Sequence, residues 1–237
     1  MLSNQRINQL NKLISKTGLH LKKYDLLNSA LIHPSYVFEK GPQVGNHNQR
    51  LEFLGDAVVG LIVGDYLYHL FPEKSEGELT KMRAAVVCES SLAKAANRLE
   101  IGQYLLMGKG EKNGGGAGRP SNLADAFEAF VGALYIELGL NDIRNFVLGY
   151  LKLEIERVIS GHYGDYKTQL QEIIQKQPDG VVEYQIISES GPDHEKEFIA
   201  GTFHGGKLIA SGKGRTKKEA EQNAAHKALI KMGEIGE

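Results

Sequence analysis

The stretch His47-Asn48-Gln49-Arg50-Leu51-Glu52-Phe53-Leu54-Gly55-Asp56 runs directly into the apolar segment Ala57-Val58-Val59-Gly60-Leu61-Ile62-Val63. Read as a helix, it places Glu52 and Asp56 on one face, about 40° apart around the axis. Leu51, Leu54, Val58, Leu61 and Ile62 give the same helix an apolar side that belongs in a core. The pattern continues through Tyr66, Tyr68 and Leu70 and ends before Pro72. Two acids at the start of a buried helix call for a positive partner.

A second stretch repeats the arrangement: Ser121-Asn122-Leu123-Ala124-Asp125-Ala126-Phe127-Glu128-Ala129-Phe130-Val131-Gly132-Ala133-Leu134-Tyr135. Asp125 and Glu128 share a helical face and are the only charges in a segment apolar on nearly every side. Desolvating two carboxylates costs several kcal/mol each unless a cation or strong donors compensate. Oxygen ligands from two helices suit a hard divalent cation better than nitrogen or sulfur sites do. Each pair also has a purely structural reading. Asp125 and Glu128 would suit the first turn of a helix capped by Ser121, and Glu52 and Asp56 would pair with Arg50 or Arg83. Two such pairs in one chain favour a shared cation.

The length, 237 residues, favours two domains. The N-terminus has no charged segment followed by an apolar run, and no stretch approaches 18 consecutive apolar residues. Neither export nor membrane spanning is therefore expected. Cys88, the single cysteine, reads as a buried thiol in a reducing cytoplasm. With 28 Lys+Arg against 29 Asp+Glu, net charge carries no sign of a polyanionic partner. The sign is local: residues 207–218 hold Lys207, Lys213, Arg215, Lys217 and Lys218 and no acid.

In chain order, Ile7, Leu10, Leu13 and Ile14 predict a short amphipathic helix stopped by Gly18. A second follows Tyr24-Asp25 and is broken at His33-Pro34, where His33 reads as a structural histidine bonding a backbone group. A capping-box pattern, Ser75 to Glu78, opens another helix, and Ser90-Ser91 opens the next. Gly108 to Gly118 lacks the Gly-Lys-Ser/Thr ending of a nucleotide-binding loop and reads as a flexible surface connection. A long helix is expected from Asp142 to Ser160. The spacing thus predicts an all-α domain over residues 1–160 and a linker at 161–165.

From residue 166 to 235 the pattern changes to a small α+β domain of order α-β-β-β-α. Lys167 to Gln177 reads as helix, Pro178-Asp179-Gly180 as a turn, and Val182, Tyr184 and Ile186 as an alternating strand. Phe198 to Phe203 and Lys207 to Ser211 form a hairpin through His204-Gly205-Gly206. Thr216 and Glu219 frame the start of a last helix, Ala220 to Met232. Lys217 and Lys218 at the positive end of that helix oppose its dipole, unless an external polyanion supplies the negative charge.

Three motif groups carry a resemblance that covers nearly the whole chain. Asn48 to Asp56 resembles the signature of bacterial ribonuclease III, and Leu123-Ala124-Asp125-Ala126-Phe127-Glu128-Ala129 resembles its second acidic motif. Thr168-Gln169-Leu170-Gln171-Glu172, Gly191-Pro192-Asp193-His194 and Lys217 to Ala225 are similar to a double-stranded-RNA-binding domain. The resemblance implies a homodimeric endonuclease that cuts double-stranded RNA, including precursor ribosomal and messenger RNAs, with Mg²⁺ or with Mn²⁺ in its place. It implies 5′-phosphate and 3′-hydroxyl products and no nucleotide cofactor or membrane partner. By motif position Glu52, Asp56, Asp125 and Glu128 would be metal-binding acids, with Asp56 and Glu128 the catalytic ones. Glu76 would line the cleavage valley, and Phe53 would insert into the partner subunit. Thr168, Gln171, Glu172 and His194 would meet successive minor grooves, and Lys217 and Lys218 the phosphates between them. Gln49 departs from the glutamate of many members and is expected to alter dimer or substrate contacts. A catalytically silent RNA-binding relative would lack one or more of the four acids. A purely helical interaction protein would leave the basic segment unexplained.

Overall fold

The computed structural model describes residues 2–159, 166–176, 180–192 and 196–234. It divides into two compact units, Met1–Val158 and Ile159–Glu237. The first unit is helical. It opens with α1 (Asn4–Ser15), whose N-cap Ser3 accepts from the Arg6 amide, and α2 (Asp25–Ala30). The His33-Pro34 break starts a further helix, α3 (Pro34–Lys40), which periodicity did not reveal. Proline loses nothing at the first helical position, and His33 caps it by accepting from the Ser35 amide at 3.2 Å.

Then come α4 (Gln49–Leu70), α5 (Glu76–Val86) with the expected Ser75–Glu78 capping box, α6 (Glu89–Arg98), α7 (Lys109–Asn113) and α8 (Pro120–Leu138). The long helix expected after Asp142 is instead two, α9 (Leu140–Tyr150) and α10 (Lys152–Ile159). The break falls at Leu151, two residues after Gly149, a poor helix former. Leu151 is fully buried, so packing at the bend outweighs helical continuity.

Two further expectations are corrected. The Gly108–Gly118 segment is ordered: it contains α7 and a 3-10 turn, and two of its glycines, Gly108 and Gly116, sit where a side chain would not fit. A β-carbon on Gly108 would stand 2.7 Å from the Ser35 carbonyl oxygen. Cys88 is exposed, at the N-cap of α6, with its sulfur beside the hydroxyls of Ser90 and Ser91. An N-cap belongs at a helix end in contact with solvent.

The helices α4 and α8 pack against each other at the centre of this unit. Val58, Val59, Ile62, Val63 and Leu67 of α4 are buried, as are Phe127, Phe130, Val131 and Leu134 of α8. Phe146 of α9 lies 6.5 Å from Phe127 and 5.8 Å from Phe130, ring centre to ring centre. Each such large side chain contributes roughly 1.5–3 kcal/mol on burial. By length and hydropathy alone α4 would cross a membrane. Its buried face packs on α8 instead, and its first turns carry Glu52 and Asp56.

The second unit has α11 (Tyr166–Ile174), β1 (Val182–Ser190), β2 (Glu197–His204), β3 (Lys207–Gly214) and α12 (Lys217–Lys231). The sheet is antiparallel in the order β1-β2-β3. Gly205 and Gly206 both have positive φ, as a two-residue type I′ hairpin requires. Ala220, Ala224, Ala225, Ala228 and Leu229 are the buried side of α12. Alanines let helix and sheet approach closely. Thr216 accepts from the Glu219 amide at 3.1 Å, but the Glu219 carboxylate turns to the Arg215 amide, so only half of the expected capping box forms. Ser160, the linker, Gln177, Pro178, Asp179, Asp193, His194 and residue 235 lie outside the described residues.

Candidate functional site

The carboxylates meet because two glycines let two helices touch. A β-carbon on Gly55 of α4 would overlap the backbone carbonyl of Glu128, and one on Gly132 of α8 would overlap that of Leu51. The contacts are reciprocal and one helical turn apart. At this crossing Glu52, Asp125 and Glu128 converge, each half-buried, with one carboxylate oxygen from each within 4.8 Å of the others. Asp56 lies outside that trio and is exposed, but it is the foremost charged neighbour of Glu128.

The electrostatics are those of uncompensated acids. Burial, then Asp56, Asp125 and Glu52, push the Glu128 carboxyl up to about 8. Burial, then Asp125 and Asp56, raise Glu52; burial, then Glu89, raise Asp125, which His33 opposes. Among the described residues no ion pair reaches any of the four acids. Arg83 instead lies against Gly64, and the arginine nearest the start of α8, Arg119, pairs with Glu111 at 2.6 Å. The helix-dipole reading fails as well. The N-cap of α8 is Arg119, and the first turn holds no acid, so Asp125 lies beyond the reach of the dipole. Carboxylates crowded together, partly desolvated and without a cation fit a hard divalent ion, which binds oxygen and neutralises like charges.

The sequence did not disclose what anchors this corner. Glu111 accepts from Arg119 and, at 2.9 Å, from Asn122, one turn before Asp125. Ser35 accepts from the Gly108 amide at 3.0 Å, and Glu39 from the Lys109 amide. The glycine-rich segment is thereby tied to α3 at one end and α8 at the other. The glutamate among its glycines was the available signal.

Phe53 is 81% exposed on α4, an unusual place for a phenyl ring. Beside it lies a cavity of about 720 Å³ lined by Leu26, Gln49, Arg50, Leu54 and Ile136 among others. Glu76 is exposed on α5, accepts from the Thr80 hydroxyl at 3.0 Å, and stands apart from the carboxylate trio.

In the second unit Thr168, Gln171 and Glu172 are exposed on one face of α11, at positions i, i+3 and i+4. Lys217 and Lys218 are exposed in the first turn of α12, where backbone N–H groups also point outward.

Residues 23–155 match the Ribonuclease-III-like family, and residues 166–232 match the double-stranded RNA binding motif. In class, then, this is an endoribonuclease acting on double-stranded RNA. Similar curated proteins are called Ribonuclease 3. That of Desulforamulus reducens is 50% identical over 229 residues, 96% of this chain and 93% of the relative. That of Pelotomaculum thermopropionicum is 50% identical over 224 residues, 94% and 93% of the two chains. A solved nuclease domain of ribonuclease III from Campylobacter jejuni, described for structural flexibility in a region involved in dimer formation, is 41% identical. It has a TM-score of 0.57 and covers 62% of this chain and 99% of its own. The chain belongs to the ribonuclease III family.

Proposed function

We propose that this enzyme cleaves duplex RNA with Mg²⁺, or Mn²⁺ in its place, held by Glu52, Asp125 and Glu128 with Asp56 at the rim. The observation that carries the reading is the meeting of three half-buried carboxylates without a cation among the described residues. When bound, the ion acidifies water and stabilises charge on the phosphate oxygens, giving 5′-phosphate and 3′-hydroxyl ends. The side chains fix the place of that chemistry: Glu52 from one helix, Asp125 and Glu128 from the other, held in register by the glycine crossing. Glu128, the most buried of the four, is the acid on which cleavage depends most. Glu76 lines the RNA path.

The working form is a homodimer. An exposed phenyl ring beside an apolar cavity on the same surface suits an isologous contact, with each Phe53 entering the cavity of its partner. Gln49 lines that cavity, which supports a role in dimer contacts. In the second unit Thr168, Gln171, Glu172 and His194 meet minor grooves, and Lys217 and Lys218 meet phosphates, reading A-form shape. Structured precursor RNAs, ribosomal and messenger, are the substrates, in the cytoplasm, where a lone exposed thiol such as Cys88 stays reduced.

The test is incubation of the purified protein with a long perfect duplex in Mg²⁺ and in EDTA, alongside Glu128→Gln. Cleavage in Mg²⁺ alone, lost in Glu128→Gln with duplex binding kept, is the expected result. Turnover in EDTA would contradict the proposal.

A further inference from the structure

In the second unit one acid stands among lysines on the side of the sheet that carries the start of α12. Glu189, near the end of β1, pairs through its carboxylate with Lys196 Nζ at 2.6 Å. Its cross-strand partner in the β1–β2 register is Phe198, and Lys217 Nζ sits 5.7 Å from the centre of that ring. Paired residues point to the same face of a sheet. Glu189, Phe198 and Lys217 therefore share the side covered by α12, and Lys196 completes the group. Lys196 and, more weakly, Lys217 hold the Glu189 carboxyl below its ordinary range.

We infer that Glu189 is an internal competitor of RNA: in the free protein its carboxylate holds Lys196 and lies beside the Phe198 ring under Lys217, so it supplies this corner with a negative charge that a phosphate supplies in the complex. The inference rests on the reading of Lys217 as a phosphate ligand. A duplex approaching the N-terminus of α12 must displace or tolerate this anion, which lowers the affinity and keeps the lysines from gripping other polyanions indiscriminately. A neighbouring pair, Lys213–Glu197 at 2.7 Å, provides the contrast. Glu197 precedes Phe198 in β2 and so points to the opposite face. Its charge is not in the way.

The experiment measures binding of the full chain to a short RNA duplex in EDTA, across a salt series, for the wild type, Glu189→Gln, Glu197→Gln and Lys217→Ala. Glu189→Gln is expected to bind about two- to fivefold tighter at low salt, the size of one surface ion pair, with the gain fading as salt rises. Glu197→Gln should match the wild type. Equal or weaker binding by Glu189→Gln, with an unchanged unfolding midpoint, would overturn the inference, as would an equal gain from Glu197→Gln. Glu189→Ser gives the same reading should the glutamine variant fail to fold. If Lys217→Ala binds as tightly as the wild type, the phosphate-ligand reading fails; if it weakens while Glu189→Gln shows no gain, only the competitor is refuted.

Discussion

Gly55 faces the backbone of Glu128 so closely that no β-carbon fits between them. One helix contributes the glycine of the motif that carries Glu52 and Asp56, and the other contributes the acid that lies deepest. Close approach of the backbones and convergence of the charges are thus one geometric fact.

Gly55→Ala is expected to push α4 and α8 apart at the site. Backbone cannot yield as a side-chain tip can, so the cost should be about 3 kcal/mol or more, at the upper end of overpacking. Cleavage should fall further than stability does, because separating the helices also separates the ligands. Chemical denaturation and cleavage assays on the same preparation check this; a fully active, equally stable variant would contradict it.

The carboxylate cluster should make the metal-free protein less stable as pH rises. In the unfolded chain Glu128 titrates near its ordinary value of 4.5, whereas in the folded protein it does so at about 8. Between those values the folded state holds a proton that the unfolded state has lost, so stability declines across the window and is lowest above it. Glu52 and Asp125 are raised too and act in the same direction. Thermal unfolding in EDTA should show a midpoint lower by roughly 5 °C at pH 8.5 than at pH 5.5. Glu128→Gln should shrink the difference, and Mg²⁺ should restore the wild type at high pH. A flat profile would argue against the crowding.

For Lys217 and Lys218 the informative quantity is the salt dependence of RNA affinity. Removing one lysine from a phosphate lowers the slope of log affinity against log salt by about one, so the double alanine variant should show a slope shallower by roughly two. An unchanged slope in a titration by fluorescence anisotropy would remove both lysines from the phosphate track.

Phe53→Ala should convert dimer to monomer. Two rings leave apolar pockets, each contributing roughly 1.5–3 kcal/mol, or about 3–6 kcal/mol together. Sedimentation at micromolar concentration distinguishes the two states, and a variant that sediments like the wild type would remove Phe53 from the interface.

Local patterns in the sequence were good guides to the parts of the molecule that local physics determines. The alternation in β1, the Gly205-Gly206 hairpin, the Ser75–Glu78 box and most of the apolar faces of α4 and α8 were readable because each depends on residues a few positions apart. Leu61, expected on the core side of α4, is instead 56% exposed, because the face that meets α8 is the one holding Val59 and Val63. What sequence spacing cannot supply is the distance between segments. It placed Glu52 beside Asp56 and Asp125 beside Glu128, but the contact between the pairs depends on Gly55 and Gly132, and Asp56 ended outside the tight trio. The segment from Gly108 to Gly118 looked flexible because what orders it, the packing of Gly108 against Ser35 of α3 and the hold of Asn122 on Glu111, involves residues outside it. Leu151 ends a helix that periodicity would have continued, and Cys88, apolar by type, was drawn outward by its position at a helix start.

The central claim is that acids from two helices form one divalent-cation site. Calorimetric titration of Mn²⁺ into the wild type and into Glu128→Gln, without RNA, tests it most directly. The wild type should bind Mn²⁺ with release of protons as Glu128 ionises, and the variant should lose most of that binding while unfolding at a midpoint no lower than the wild type in EDTA. Equal Mn²⁺ affinity in both proteins would contradict the account.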